Sequence, residues 1–251
     1  YKWRVYRDGR PTLDRVLDGL KALQRNGVET NALTMVTSHS WDKPQMIWDF
    51  LREQDISFFQ FIPCLERDQK TGEKSRYSVE PEQYGEFMCH MFDLWSEPEC
   101  PETYVRMFND LVEMYAGNEG PSCINKERCG EYVVIEHNGD VYACDFFVDE
   151  DHYIGNLLKT PLKDLVHSEK MEEFALAKGE AGPECEECPW WDICHGGCPK
   201  DRVYATGRTD CATYLCEGYK MLFEHADSRL RELAQHYQEE QAQMRDGHCL
   251  L

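Results

Sequence analysis

The spacing of the cysteines constrains this chain more than any other feature of its sequence. Nine of the thirteen cysteines lie between positions 123 and 216. Cys123 and Cys129 are separated by five residues, and Cys144 follows after a β-rich stretch. The remaining six form the run C-x2-C-x5-C-x3-C and a later pair, at Cys185, Cys188, Cys194, Cys198, Cys211 and Cys216.

Close cysteine pairs supply two ligands of a four-thiolate metal site from one turn of the chain. Eight or nine ordered cysteines therefore predict two such sites. Iron–sulfur clusters suit the dense run best, and two structural zinc ions or a set of disulfides are the alternatives. The residues that follow Tyr1 do not resemble an export leader, so we expect a cytoplasmic protein with reduced thiols.

Composition excludes several classes of function. The chain carries 27 basic and 47 acidic residues, a net charge of −20, which disfavours nonspecific binding to nucleic acid. No stretch approaches the roughly 18 apolar residues of a membrane helix. We therefore expect a globular protein of one or two domains that has neither a nucleic-acid nor a membrane partner.

The first third of the chain alternates helix and strand. An apolar stripe predicts a helix that begins after Thr12 and ends at Asn26-Gly27, and a second helix follows Pro44. Strands are predicted over residues 28–37 and 56–65. This order indicates a parallel sheet with helices outside it, and we expect further strands upstream.

Later segments predict more helices and one hairpin. Pro81 begins an amphipathic helix, and another carries Tyr104. Asn138-Gly139 lies between two β-rich runs, a strong signal for a hairpin. The runs that flank this turn are residues 131–136 and 141–144, short helices are predicted within 161–178, and a long helix is predicted over 213–244.

The cysteine order resembles a SPASM domain, the two-cluster extension of radical S-adenosylmethionine enzymes that modify peptides and proteins. Further segments resemble the anaerobic sulfatase-maturating enzymes, and the resemblance covers nearly the whole chain. These segments are FIPCLE, CINKERCGEYVVIEHNGDVYACDFFV, YIGNL and CPWWDICHGGCPKDR. The fold that this resemblance implies is α/β: the last strands and helices of a partial (β/α) TIM-like barrel, then a cysteine-rich SPASM domain with a short β-hairpin and helices. The implied domains are residues 1–118 and 119–251.

The resemblance also implies two auxiliary [4Fe–4S] clusters with interleaved ligands. Cys211 is the rival to Cys216 as the last ligand. The first cluster would be held by Cys123, Cys129, Cys144 and Cys198, and the second by Cys185, Cys188, Cys194 and Cys216. Four other cysteines match no ligand position, namely Cys64, Cys89, Cys100 and Cys249.

By the same resemblance, Asp145 is the base that takes a proton from the substrate side chain. Arg4 and Leu65 would contact S-adenosylmethionine, Arg4 by pairing with its carboxylate and Leu65 by packing on its adenosine. Read without the resemblance, the three residues are a strand cap, a surface arginine and a core leucine. Trp190, Trp191 and His195 would shield a cluster.

One motif of these enzymes is missing, the C-x3-C-x2-C that holds the S-adenosylmethionine-cleaving cluster. We therefore expect this chain to be a C-terminal fragment, inactive alone, and expect the motif roughly 100–130 residues before Tyr1. The full-length enzyme would bind S-adenosylmethionine and a third [4Fe–4S] cluster.

The implied reaction is oxidation of a cysteine or serine in an unfolded sulfatase polypeptide to Cα-formylglycine. The deoxyadenosyl radical takes a hydrogen from the substrate Cβ, and the auxiliary clusters accept or relay the remaining electron to a partner such as flavodoxin or ferredoxin. Two alternatives stay open: a SPASM enzyme that modifies another ribosomal peptide, and a zinc-binding module that recruits a partner.

Overall fold

A computed structural model describes residues 4–68, 70–99 and 101–247 of the chain. Its first half contains four helices and a parallel sheet. The helices are α1 (Leu13–Arg25), α2 (Pro44–Glu53), α3 (Pro81–Ser96) and α4 (Arg106–Tyr115). The strands are β1 (Ala32–Val36), β2 (Phe58–Pro63) and β3 (Tyr104–Val105), in the order β1-β2-β3.

The parallel pairing predicted for the first two strands is confirmed, with Ala32 opposite Phe59 and Val36 opposite Pro63. The prediction that Tyr104 lies in a helix is wrong. Tyr104 pairs with Phe58 in β3, because the backbone N–H of Tyr104 donates to the carbonyl of Ser57, and the helix starts only at Arg106.

Helix α1 forms where it was predicted, but none of its residues is buried. Thr12 occupies the N-cap position, yet its hydroxyl donates to the carbonyl of Arg4 at 3.0 Å instead of capping the helix. Leu33 and Met35 of the edge strand β1 are also exposed. This side of the sheet therefore presents apolar surface.

The main core lies on the other side, where α3, α4 and the long helix α10 (Cys216–Gly247) pack together. All predicted inward positions of α3 and of the long helix are buried. The core side chains of α3 are Tyr84, Phe87, Met88, Met91, Phe92 and Trp95, and those around α10 are Leu215, Tyr219, Leu222, Phe223, Ala226 and Leu230. The two helices come close at a glycine pair, Gly85 and Gly218.

A second, antiparallel sheet follows residue 118. The predicted hairpin is confirmed, and its turn closes with a hydrogen bond from the Glu136 N–H to the Asp140 carbonyl. A third strand beside the hairpin was not predicted. The strands are β4 (Val134–Ile135), β5 (Asp140–Tyr142) and β6 (Tyr153–Asn156).

Short helices connect this sheet to α10. They are α5 (Leu162–Val166), α6 (Glu169–Leu176), α7 (Pro183–Glu186), α8 (Trp191–Cys194) and α9 (Pro199–Thr206), with 3-10 turns at Cys123–Asn125 and Ala177–Gly179. Helices within 161–178 are thus confirmed. None of the described helices combines the length and the apolar character that spanning a bilayer requires. The domain boundary at residues 118 and 119 stays a prediction, since α10 packs on helices from before it.

Candidate metal centres

One cavity is lined by all four cysteines that were predicted to hold the first cluster. Its volume is about 40 Å³, and half of its other lining residues are aromatic, including Phe146, Phe147 and Phe174. Its cysteines are Cys123, Cys129, Cys144 and Cys198. The fold therefore gathers thiols that lie up to 75 positions apart in the chain.

Four separate elements bring these thiols together. Cys123 begins a 3-10 turn, and the N–H of Cys129 donates to the Ala175 carbonyl at 3.1 Å. Cys144 lies two residues after the end of β5, and Cys198 is the N-cap residue of α9. The hairpin, the end of α6 and the start of α9 thus meet at one cavity.

A second cavity is lined by the four cysteines of the second predicted group. Its volume is about 20 Å³, and Trp190 and Trp191 border it. The cysteines are Cys185 in α7, Cys188 after it, Cys194 at the end of α8 and Cys216 at the start of α10. The two predicted groups therefore surround two different cavities.

Cys211, the rival last ligand, does not line the second cavity. Its Sγ lies 3.8 Å from the carbonyl oxygen of Arg208. Of the cysteines that match no ligand position, Cys64 is buried and Cys89 is half-buried, both away from the two cavities. Cys100 and Cys249 lie outside the described residues.

Burial raises the pKa of six of the eight predicted cluster ligands, and neighbouring thiols raise it further in five of them. The pKa values are about 11 for Cys129 and Cys185 and about 12 for Cys194 and Cys198. Cys123 acts on Cys129 and Cys198. Cys216 acts on Cys185 and Cys194. Electrostatically, the thiols therefore divide into the same two groups as the cavities.

The donor sets fit iron–sulfur clusters. Among the described residues, no group of three or more histidine, cysteine, aspartate or glutamate side chains is arranged around a single metal ion. In a [4Fe–4S] cluster each thiolate binds a different iron, so four thiols around a cavity suit it. Cluster binding would deprotonate these thiols and would couple their assembly to folding. The assignment of individual ligands stays a prediction.

Asp145 lies at the edge of the first cavity, where its side chain is exposed. Its Oδ1 accepts a hydrogen bond from the Tyr132 hydroxyl at 3.2 Å, and the Cys144 Sγ lies 3.3 Å from the same oxygen. Tyr132 itself lines the cavity. Burial, followed by the Cys123 and Cys144 thiols, raises the Tyr132 pKa, so its hydroxyl remains a donor.

The two residues predicted to contact S-adenosylmethionine lie in different surroundings. Arg4 is exposed near the start of the described chain, and Leu65 is buried in the core just after β2. No described hydrogen bond or ion pair of the Arg4 side chain, and no described contact between the two, places them at one site. Their role stays a prediction.

The three residues predicted to shield a cluster lie in different surroundings, and their shielding role stays a prediction. Trp190 and Trp191 border the second cavity, and the Trp190 ring lies 5.7 Å from that of Phe223. His195 borders neither cysteine-lined cavity. Its Nδ1 is buried and has no hydrogen-bond partner among the described residues.

Sequence reasoning missed two fully buried cations, Lys178 and Arg202. Both lie among the segments that carry the cysteines. Arg202 ends the segment CPWWDICHGGCPKDR, and no role was predicted for it there. The one sequence feature that could have pointed to Arg202 is a charged residue in a stretch with so many predicted ligands. Lys178 carries no such signal, because it follows an ordinary amphipathic helix.

The comparisons with known proteins agree with these observations. Residues 123–189 match the SPASM family, described as an iron-sulfur cluster-binding domain. The serine-type anaerobic sulfatase-maturating enzyme of Bacteroides thetaiotaomicron is 32% identical over 240 residues, which cover 89% of this chain and 58% of that protein. The cysteine-type enzyme of Clostridium perfringens strain 13 is 32% identical over 228 residues, or 90% and 62%.

Solved structures show the same relation. Native anSMEcpe with bound AdoMet and Cp18Cys peptide has a TM-score of 0.86 at 30% identity and covers 92% of this chain and 65% of its own. Native anSMEcpe with bound AdoMet alone has a TM-score of 0.83. This chain spans about three fifths of the length of its curated relatives. The predicted resemblance and the predicted α/β fold class with a SPASM domain are both confirmed.

Proposed function

This chain is related in sequence and fold to the anaerobic sulfatase-maturating enzymes, and from that premise we propose that it holds two auxiliary [4Fe–4S] clusters of such an enzyme. The enzyme would oxidise a serine of a sulfatase polypeptide to Cα-formylglycine, or a cysteine to a thioaldehyde that water converts to Cα-formylglycine with release of hydrogen sulfide. The observation that carries the proposal is the pair of cavities, each lined by one complete group of four cysteines.

The protein's own residues would bind and orient the substrate and would move one proton. Asp145 would accept the proton of the substrate thiol or hydroxyl at the rim of the first cavity, and Tyr132 would hold Asp145 through their 3.2 Å hydrogen bond. When bound, S-adenosylmethionine with its own cluster would supply the radical that abstracts hydrogen, and the auxiliary clusters would accept the second electron. Arg4 and Leu65 would contribute to the S-adenosylmethionine site.

The substrate in this proposal is an unfolded segment of a sulfatase, and flavodoxin or ferredoxin would exchange electrons with the clusters. The exposed position of Asp145 supports a polypeptide substrate, since a peptide can reach that rim from solvent. The relative described as native anSMEcpe is solved with both AdoMet and the Cp18Cys peptide bound.

Iron and sulfide analysis tests the cluster assignment. After anaerobic reconstitution we expect about eight iron and eight sulfide per chain. Cys129→Ser and Cys188→Ser each remove a ligand of one centre and should each lower the iron content by about half. Cys89→Ser, which lies outside both cavities, is the control and should leave it unchanged. A colourless protein that binds two zinc ions would contradict the proposal and favour a recruitment module.

Asp145→Asn tests the role of the base. The variant should be placed in a polypeptide that joins this chain to a segment with the C-x3-C-x2-C motif. We expect formylglycine formation in a sulfatase peptide to fall at least about 100-fold, the usual contribution of a general base, while the iron content stays unchanged. Mass spectrometry of the peptide gives the rate. Undiminished formylglycine formation in Asp145→Asn would contradict the role of Asp145 as the base, whereas a joined wild-type polypeptide that forms no formylglycine would favour an enzyme with another peptide target.

A further inference from the structure

Lys178 is a buried ammonium whose three N–H groups are all used by backbone carbonyls. Nζ donates to the carbonyls of Cys123 at 2.7 Å and Ile124 at 3.0 Å, and to that of Lys126. Its exposed fraction is 0%. In the part of the chain that the structure describes, no carboxylate forms an ion pair with Lys178. It therefore holds the turn that presents Cys123, while its charge has no carboxylate neighbour.

Arg202, on α9, is equally buried and holds the segment that links the two cysteine groups. Its guanidinium donates to the carbonyls of His195 and Gly196, both at 2.9 Å, and more weakly to that of Gly197 at 3.4 Å. These three residues separate Cys194, of the second group, from Cys198, of the first. Arg202 thus fixes the shortest stretch of chain that joins a cysteine of one group to a cysteine of the other.

A hydrogen bond joins the two cations into one network. Arg202 Nη1 donates to the carbonyl of Lys178 at 2.9 Å, so the segment from Cys123 to Lys126 and the segment from Cys194 to Cys198 are linked through two side chains. Burying two such charges costs several kcal/mol each unless negative groups lie near.

Burial lowers the pKa of both cations, and the nearby cysteines, which become negative thiolates when they bind iron, oppose that shift. Those of Cys129, Cys123 and Cys198 favour the charged form of Lys178, all from the first group. The charged form of Arg202 is favoured by Cys185 and Cys194 of the second group, then by Cys211, which belongs to neither group, and by Cys129 of the first. The two cations together therefore interact with cysteines of both predicted centres.

We propose that Lys178 and Arg202 form a buried cationic bridge between the two centres, which holds their ligand segments in register and favours the reduced clusters. The inference rests on the proposed function, because it presumes that the cysteines bind clusters. Both residues are positioning residues, since neither touches substrate. A reduced cluster carries one more negative charge than an oxidised one, so a fixed positive charge nearby stabilises it.

The test is a redox titration of the reconstituted chain, followed by electron paramagnetic resonance. Lys178→Gln keeps a side-chain donor and removes the charge. At a fixed potential it should lower the ratio of reduced to oxidised cluster in the first centre about tenfold, or 59 mV for a one-electron couple. Cys188→Ser serves as the background in which the first centre is observed by itself.

Two further variants make every outcome decisive. Lys178→Arg keeps the charge and should keep the potential, and Lys163→Met removes a charge from the exposed face of α5 and should also leave it unchanged. Unaltered iron content and potential in Lys178→Gln would overturn the proposal. If Lys178→Gln fails to bind iron, iron binding by Lys178→Arg supports it, and failure of both overturns it.

Arg202→Lys tests the link between the segments. Arg202 also donates to the Thr209 carbonyl at 3.0 Å, which makes five carbonyl partners in all. Lysine retains the charge but has only three N–H groups, so we expect iron to be lost from both centres, whereas Lys178→Gln acts mainly on the first. Full iron content in Arg202→Lys would overturn the bridging role. A wild-type chain that binds no iron would instead refute the proposed function, so the two failures are distinguishable.

Discussion

Three consecutive residues between Cys194 and Cys198 have left-handed backbone conformations. The φ angles are 45° at His195, 71° at Gly196 and 69° at Gly197. This geometry turns their carbonyls toward the Arg202 guanidinium. Glycine adopts such angles at little cost, whereas His195 is held there by its surroundings.

Gly196→Ala should disrupt both centres. A Cβ at this position would overlap the Ala181 Cβ and lie 2.6 Å from Arg202 Nη2. We expect a loss of about 3 kcal/mol in the free energy of unfolding, from backbone strain and overpacking together, and a lower iron content. Gly207→Ala is the matched control, because its φ is 74° with no atom within 4 Å of the added Cβ. It should cost only about 1–2 kcal/mol. Equal losses in the two variants would argue against the packing explanation.

Tyr132→Phe should slow the reaction without affecting cluster binding. It removes the hydroxyl that donates to Asp145 Oδ1 at 3.2 Å and leaves the ring in the cavity wall. A hydrogen bond to a partly exposed carboxylate contributes about 1 kcal/mol, so formylglycine formation should fall about fivefold. The rate in the joined polypeptide and the iron content are the two measurements, with Tyr142→Phe on the neighbouring strand as the control. A rate that does not change would remove Tyr132 from the site.

At the scale of elements, the start of α3 shows how side chains determine a helix boundary. Glu80 and Gln83 form a capping box, in which each side chain accepts from the other's backbone N–H. Lys74 forms an ion pair with Glu80, and the Tyr214 hydroxyl donates to Glu80 Oε2 at 2.6 Å. Because Tyr214 lies just before α10, this cap also ties the two main core helices together.

Glu80→Gln should destabilise the chain at neutral pH but not in acid. The bonds from Lys74 and Tyr214 hold the pKa of Glu80 below its usual value. A carboxylate with a lowered folded-state pKa contributes stability above its unfolded pKa of about 4.3, and this is lost as the pH falls through the folded pKa. Because Glu80 is about half exposed, we expect a difference of only about 0.5–1 kcal/mol at pH 7.

Urea unfolding of the wild type and Glu80→Gln at about pH 7 and about pH 3 checks this dependence. Glu82→Gln, an exposed first-turn residue of the same helix, is the control. A difference that persists undiminished in acid would show that the carboxylate charge is not responsible.

At the scale of the whole molecule, two kinds of stabilisation coexist. The helices α3, α4 and α10 share a continuous apolar core. The segment from residue 177 to 215 instead contains short helices of three to eight residues. Such helices are marginal by themselves, so their order must come from the packing around the cysteines and from whatever those cysteines bind.

Removal of iron should therefore expose the cysteine-rich segment before the helical core. Lys178 and Arg202 are fully buried, so trypsin can cleave there only after local opening. We expect a chelator to accelerate cleavage at both sites at least about tenfold, which corresponds to about 1.4 kcal/mol of local stability. Cleavage at Arg25, at the end of the exposed helix α1, should not change. Mass spectrometry of the fragments measures all three sites. Equal acceleration at Arg25 would indicate global unfolding instead.

Much of the architecture was predictable because it follows local rules. Apolar periodicity predicted α3 and the buried face of α10, Pro81 marked the start of α3, and Asn138-Gly139 marked the hairpin turn. The two-residue strand β3 and the strand β6 were missed, because each exists only through pairing with a distant partner. Helix α1 was predicted from a stripe that the described structure buries only in part, with Leu20 against the core and Val16 and Leu23 exposed.

The sequence by itself determined which residues can act as soft ligands and that they suffice for two sites, and its resemblance to a known family implied how eight cysteines divide into two groups. Only the tertiary structure decided that each group surrounds its own cavity, that Cys216 rather than Cys211 lines the second one, and that two cations are buried between them. The physical reason is that ligand chemistry is a property of single side chains. Burial and convergence depend instead on how segments far apart in the chain pack together.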